Sequence, residues 1–470
     1  MTFRRELTFY DVTNMTVGAI VGADIYIASA ITAGILGPAS LLAWAIAGAL
    51  ATILALTLAE CARVVPSVGG PYAYASVAFG RFPGFVAGWS MWIAELTALP
   101  VFAIAFTNYL GYFVAADYFT THAIRLLFLA LLTLVNVASV RLAGRVNDAL
   151  TALKLAPLVV IVIAGVVYAV VHPAEVAAHL EPFAPFGLDR FPSALVLVFW
   201  AYAGFELATV PAGEVADPER TIPRALAAGM AIVTVFYLST NTVVYGLVDH
   251  RELATNAAPL ILVGTVLFGS LGAGFVAVGA MISVSGSDES DMLGSSRLAY
   301  AMAADGLLPH RLAELHPRFA TPYVALIVQG LAAGGLTFVD RIPDLIGFAV
   351  VNLSLAFLLC ALALIRLHRR EVKPPSAWNR VVPLLAILIS VGLLVAAPRQ
   401  DKITGAVVLA AGVLVYVAGA PRVALPEALA EITSTERVLW RLARTRLRFL
   451  GGPIGWLRGH RSPPSRPHVR

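Results

Sequence analysis

Twelve long apolar runs, almost free of charge, leave this chain few folds to choose from. They cover roughly residues 11–36, 40–64, 84–115, 123–140, 148–171, 191–212, 224–248, 263–296, 322–339, 343–367, 380–397 and 402–420. Each is close to or above the roughly 20 apolar residues that a helix needs to cross a bilayer. The runs are continuous and do not alternate over about ten residues, which excludes a spanning β-barrel. Only 13% of the chain is charged and the mean hydropathy is +0.82. A soluble domain carries about 25% charged residues. The sequence therefore predicts an all-α integral membrane protein with twelve transmembrane helices.

Charge sets the orientation. With twelve spans both termini share one side. Of the 33 Lys and Arg residues, 26 fall on that side, six on the other, and Lys154 inside a span. The positive-inside rule then places both termini in the cytoplasm of a multi-pass plasma-membrane protein. Topology and anionic lipid account for the net charge of +5, so nucleic acid is not needed as a partner. No cleavable signal is evident. Cys61 and Cys360 both fall in apolar runs and define neither a disulfide framework nor a metal site. No cofactor is implied. The expected organisation is a cytoplasmic N-terminus at 1–10, a ten-helix transport core at 11–367, helices 11 and 12 at 368–420, and a basic cytoplasmic tail at 421–470. The part of that tail from Glu427 to Leu450 reads as an amphipathic helix suited to a membrane surface.

The first run is interrupted. Gly18, Gly22 and the carboxylate Asp24 sit in its middle. Paired glycines weaken a helix where its backbone must open, and a charge at membrane depth marks function unless protein or water faces it. The sixth run repeats the pattern, with Gly204 beside Glu206 in Trp200-Ala-Tyr-Ala-Gly-Phe-Glu206. Interrupted helices at corresponding places in two halves point to a transporter site at mid-membrane.

Four motifs follow in order. Arg5-x-Leu7-x-x-x-Asp11 leads into Gly18-x-x-x-Gly22. Pro66-x-x-Gly69-Gly70-Pro71-Tyr72-x-Tyr74 closes with Phe79-Gly80. Gly213-Glu214-x-x-x-Pro218-Glu219-Arg220-x-x-Pro223-Arg224 follows the sixth run. Ser296-Arg297-x-x-Tyr300-Ala301-x-Ala303-x-Asp305-Gly306-x-x-Pro309 follows the eighth. Over roughly residues 5 to 420 the chain resembles the amino acid–polyamine–organocation (APC) transporters. The resemblance implies a five-plus-five inverted repeat (LeuT-like) with discontinuous helices 1 and 6. Substrate would be held between them, flanked by helices 3 and 8, and moved by alternating access.

The resemblance also implies residue roles. The backbone of Ile20, Val21, Gly22 and Ala23 corresponds to the first-helix loop, whose N–H groups bind a substrate carboxylate in the family. That loop is usually Gly-x-Gly, and here Asp24 replaces the second Gly. An aspartate repels a carboxylate and attracts an ammonium through a charge-assisted hydrogen bond. Trp200 matches the aromatic that covers substrate, with Ala203 and Gly204 beside it. A cation over an indole gains about 0.5–2 kcal/mol. Glu206 matches a carboxylate implicated in pH sensing. Lys154 resembles the fifth-helix lysine that takes the place of a sodium ion in proton-coupled relatives and in exchangers braces helix 1. A lysine desolvated at mid-membrane trades a proton readily. Glu95 matches a glutamate of cationic-amino-acid-type members.

The eighth run is unusually polar. At 3.6 residues per turn Ser283, Ser287 and Ser290 share one face, and Asp288, Asp291 and Ser295 the next, with Glu289 between. A sector this polar cannot face lipid and is expected to face the aqueous pathway. Asp291 falls where some relatives place an aromatic touching substrate. Ser287, Asp288, Glu289 and Glu95 are pathway candidates.

Asp24, Glu206, Asp288, Glu289 and Asp291 set five acids against one base, Lys154. A bound cation relieves that repulsion. The sequence therefore predicts a secondary active transporter of amino acids or related organic amines. It favours a cationic or amine-bearing substrate and is driven by protons or by a counter-substrate. The alternatives are an inorganic cation carrier, since carboxylates and hydroxyls also ligate potassium or sodium, and a sensor that binds without transport. An enzyme is not expected, because no His-Glu-x-x-His is present and the histidines sit mainly in loops and the tail.

Overall fold

In a computed structural model, sixteen α-helices and short 3-10 turns are found among the described residues. The structure describes residues 7–66, 69–138, 140–210, 212, 215–339, 341–369 and 377–419, without the side chains of 140–152, 377–378 and 419. The basic tail expected at 421–470 lies outside the described residues, as do Arg5, Gly213 and Glu214 of the motifs. The helices are α1 (Phe9–Ile20), α2 (Ala23–Leu36), α3 (Ser40–Val64), α4 (Pro71–Phe79), α5 (Arg81–Leu110), α6 (Tyr118–Ala138), α7 (Val140–Val171) and α8 (Pro173–His179). They continue with α9 (Phe191–Trp200), α10 (Pro218–Leu247), α11 (His250–Thr255), α12 (Pro259–Ala304), α13 (Tyr323–Leu336), α14 (Ile342–His368), α15 (Ala377–Ala396) and α16 (Arg399–Gly419).

Among the described residues, nine helical stretches are long and apolar enough to cross a membrane, and α9 and α13 are shorter apolar helices. The difference from the expected twelve has local causes. Only a three-residue 3-10 turn, Gly37–Ala39, separates α2 from α3, so the two read as one stretch. The sixth run loses its helix after Trp200. The ninth is confined to 14 residues between Pro322 and a C-terminal turn weakened by Gly334 and Gly335. The long α12 bends at Gly269, whose φ of 64° places it in the left-handed region.

Burial divides the helices into an interior and a lipid-facing belt. The apolar stretch of α5 is 89% buried and that of α14 is 78%, against 28% for α6 and 22% for α16. Leu131, Ile163, Val170, Leu388, Val395 and Leu414 are exposed on α6, α7, α15 and α16, as an acyl-chain environment requires. Helix α5 packs on α12 and α14, and α10 on α3 and α1. Helix α1 begins at a capping box in which Thr8 and Asp11 satisfy each other's backbone N–H groups. Just before it, Ala216 N–H donates to the Leu7 carbonyl at 2.9 Å.

Candidate functional site

The interruption predicted at Gly22 is where α1 stops and α2 starts. Val21 is extended (φ −72°, ψ 101°), and Gly22 precedes the first turn of α2. Ending a helix leaves its last carbonyls without intrahelical partners. Side chains from three other helices supply them. Lys154 Nζ on α7 donates to the Gly18 carbonyl, Tyr237 Oη on α10 to the Ile20 carbonyl at 3.0 Å, and Ser287 Oγ on α12 to the Val21 carbonyl at 2.8 Å. The fourth, Ala19 O, stands 2.8 Å from where a Cβ on Gly204 would lie, so only glycine admits this approach. Gly204 also has φ +113°.

Beyond Trp200 the chain runs through turns, with Ala201, Tyr202 and Ala203 N–H groups bonded three residues back, to a 3-10 helix at Leu207–Thr209. Glu206 Oε2 accepts from Gly204 N–H at 3.0 Å and so braces this segment from within.

Between the two interruptions lies a cavity of about 30 Å³. Asp24, Glu95, Trp200, Ala203, Gly204 and Asp291 line it, together with Ala19, Phe102 and Leu353. Among the described residues, no basic side chain lines it. The Trp200 and Phe102 rings lie 6.1 Å apart and form the apolar wall. Glu95 of α5 lies against both Asp291 of α12 and Glu206, so three acids from three segments meet on one side. Asp24 lines the same cavity, its Oδ2 hydrogen-bonded with the Tyr237 hydroxyl and its carboxyl within the field of Lys154. The volume admits about one water, so a larger guest requires these helices to part. Cavities of about 240 Å³ by Thr107 and Thr121 and about 350 Å³ between α7 and α10 are larger. Among the described residues, neither has a charged lining residue or shares a lining residue with the interruptions.

The structure thus brings Asp24, Trp200, Ala203, Gly204, Asp291 and Glu95 to one cavity. Other expected residues lie behind it. Ile20, Val21 and Ala23 are buried, and the first two present carbonyls to Tyr237 and Ser287. The side chain of Ser287 fills the space beside Gly22. Lys154 also donates to Ser287 Oγ at 3.3 Å, and Glu289 lies within its electrostatic reach. Asp288 is fully buried, with neither oxygen hydrogen-bonded among the described residues. The polar sector of α12 is therefore packed inside protein, and only Asp291 reaches the cavity. Tyr237, Phe102 and Leu353 were not singled out in the sequence. Each is an aromatic or aliphatic residue in an apolar run, and spacing alone does not say which of them turns inward.

The family model described as "Amino acid permease" matches residues 7–420. The chain belongs to that family. Among similar proteins, an uncharacterized transporter of Mycobacterium tuberculosis is 30% identical over 413 residues, 88% of this chain and 91% of that protein. The branched-chain amino acid permease BcaP of Bacillus subtilis is 25% identical over 84% of this chain and 88% of its own. The crystal structure of MhsT in complex with L-phenylalanine aligns with a TM-score of 0.60 at 14% identity, covering 83% of this chain and 98% of that one. The permease is thus a multi-pass membrane protein with the LeuT fold, from a family of amino acid transporters.

Proposed function

We propose that this permease is a secondary active transporter, working by alternating access, that favours a cationic or amine-bearing amino acid or a related organic amine. The observation that carries this reading is the sign of the cavity. Asp24, Glu95 and Asp291 converge on it and, among the described residues, no basic side chain lines it. Burying acids together is costly without a counter-charge, and an ammonium group supplies one. The Trp200 face adds an attractive wall for a cation.

In this reading α1 and α2 are the halves of a discontinuous helix 1, and α9 with the segment after Trp200 is discontinuous helix 6. The chain crosses the plasma membrane twelve times as a five-plus-five inverted repeat with both termini cytoplasmic. Protons or a counter-substrate drive transport, with Lys154 and Glu206 as the coupling residues.

A second reading is a neutral amino acid, as the name of the Bacillus subtilis relative suggests. It is favoured by the start of α2 next to Gly22, since the N-terminus of a helix attracts a carboxylate. Competition in proteoliposomes separates the two. Lysine and its decarboxylated counterpart cadaverine are tested against leucine for uptake and for mutual inhibition. Uptake of lysine with inhibition by cadaverine supports the amine reading. Uptake of leucine that cadaverine never inhibits overturns it.

A further inference from the structure

The Tyr237 hydroxyl stands between two acceptors. It is 3.0 Å from the carbonyl of Ile20, the last residue of α1, and in short contact with Asp24 Oδ2 in the first turn of α2. A phenol carries one hydrogen and can donate only one full hydrogen bond. If that hydrogen goes to an ionised Asp24, the Ile20 contact becomes two oxygens with no hydrogen between them. If it goes to Ile20, an ionised Asp24 meets the lone pairs of Tyr237. Both contacts have a hydrogen of their own only when Asp24 supplies the second one. Its Oδ2–H then donates to Tyr237 Oη, and Tyr237 Oη–H donates to Ile20 O.

The Asp24 carboxyl is also reached by the backbone N–H groups of Gly22 and of Asp24 itself, and its Oδ2 is the oxygen that faces Tyr237 Oη. We infer that Asp24 and Tyr237 form a proton-binding site that clasps the two sides of the interruption, with a proton on Asp24 completing the chain Asp24–Tyr237–Ile20.

Charged and titratable groups face Asp24 from every side. Tyr237 comes from α10, with Tyr202 stacked edge-on behind it at 5.2 Å. Lys154 comes from α7 and its field reaches Asp24 first and Glu289 second, while its ammonium donates to Gly18 O and Ser287 Oγ. Tyr26 lies within electrostatic range on α2 itself. Glu95 of α5 and Asp291 of α12 look across the cavity, with Glu206 beyond them. The acids on the cavity side oppose a charge on Asp24, Lys154 favours one, and the two acceptors of the single Tyr237 hydrogen tip the outcome. The balance favours the proton. Gain or loss of that proton makes or breaks one bond across the junction of α1 and α2, where a transporter of this fold must flex.

The inference goes beyond the amine reading and does not depend on it. Infrared spectroscopy of the permease in proteoliposomes tests it without any substrate. The protein is labelled with ¹³C at its aspartate carboxyls, so that carboxylic-acid bands of aspartate separate from those of glutamate. At neutral pH the spectrum should contain an aspartic-acid band that disappears in Asp24→Asn, a loss of one acid per chain. The asparagine amide donates to Tyr237 as the acid does, so this variant keeps both contacts and folds. In Tyr237→Phe the same band should move, because its hydrogen-bond acceptor is gone. Spectra of Asp24→Asn and Tyr237→Phe that keep every aspartic-acid band of wild type unchanged overturn the inference. Cadaverine then separates the two ideas. Discharge of the Asp24 band by cadaverine shows that an amine displaces this proton. A band that persists while cadaverine binds removes Asp24 from amine recognition and leaves the proton site supported.

Discussion

Ser287 on α12 occupies the space that a side chain on Gly22 would need. Its Oγ and Cβ lie 2.6 and 2.7 Å from where a Cβ at position 22 would be, while the same Oγ caps the Val21 carbonyl. Gly22 is thus required by its neighbour across the helix pair as well as by its place at the interruption. Gly22→Ala should lower the melting temperature in detergent, through overpacking that costs about 1–3 kcal/mol. Adding Ser287→Gly should recover part of the loss by removing the clash, although the Val21 carbonyl loses its cap. A single Gly22→Ala variant with an unchanged melting temperature would show that the two helices do not approach as described.

Lys154 is tied to the same junction through Gly18 O and Ser287 Oγ. Its removal leaves a buried carbonyl unpaired, worth about 1–3 kcal/mol. Lys154→Ala should therefore lose both thermal stability and uptake driven by an inward proton gradient, with some substrate binding retained. Gradient-driven uptake at the wild-type rate would exclude Lys154 from coupling. A stability loss alone would leave it as a brace for α1.

The fold was largely legible because the bilayer enforces it. Continuous apolar runs dictate helices, and Gly22 beside Asp24 and Gly204 beside Glu206 marked where helical order ends. The cavity was legible in part for the same reason, since a carboxylate such as Glu95 or Asp291 in an apolar run must turn inward. What the sequence did not reveal depends on rotation about helix axes. Ser287, Asp288 and Asp291 share one polar sector, yet Ser287 caps a carbonyl, Asp288 is buried among neighbours and Asp291 reaches the cavity. Tyr237 is one tyrosine among apolar residues, and its importance arises only from packing against the α1–α2 junction.

Tyr72 of α4 donates to the Asp305 carboxylate after α12, and Arg81 donates to the Asp305 and Gly306 carbonyls at 3.2 Å. These contacts join α4 and the start of α5 to the residues just after α12 on the proposed cytoplasmic face. Burial, reinforced by the adjacent Asp305, holds the Tyr72 phenol above its ordinary range. A raised phenol keeps its proton as pH rises, so the donor persists into alkaline solution. Tyr72→Phe removes it and should loosen this face. Cys61 and Cys360 report the change, since both are fully buried and the Cys360 thiol contacts the Pro71 carbonyl at the start of α4. Maleimide labelling of Cys360 should be several-fold faster in Tyr72→Phe than in wild type. Equal rates in a folded variant would mean that the Tyr72–Asp305 contact does not hold the face closed.

The three acids on the far side of the cavity are not equivalent. Glu206 Oε2 is engaged by Gly204 N–H, whereas Glu95 and Asp291 line the cavity itself. A hydrogen bond to a charged group contributes about 1.5–3 kcal/mol, which is roughly 10- to 100-fold in a dissociation constant. Glu95→Gln and Asp291→Asn should each weaken lysine binding by about that factor while changing leucine binding little. Both substitutions conserve shape, so loss of affinity cannot be assigned to a collapsed cavity. Glu206→Gln should behave differently. Its amide oxygen still accepts from Gly204 N–H, so the segment after Trp200 keeps its brace, and lysine affinity should fall less than in Glu95→Gln. Calorimetric titration of lysine and leucine into the three variants measures the order. If Glu206→Gln proves the most damaging and Glu95→Gln the least, the cation contact lies behind Gly204 and not in the cavity.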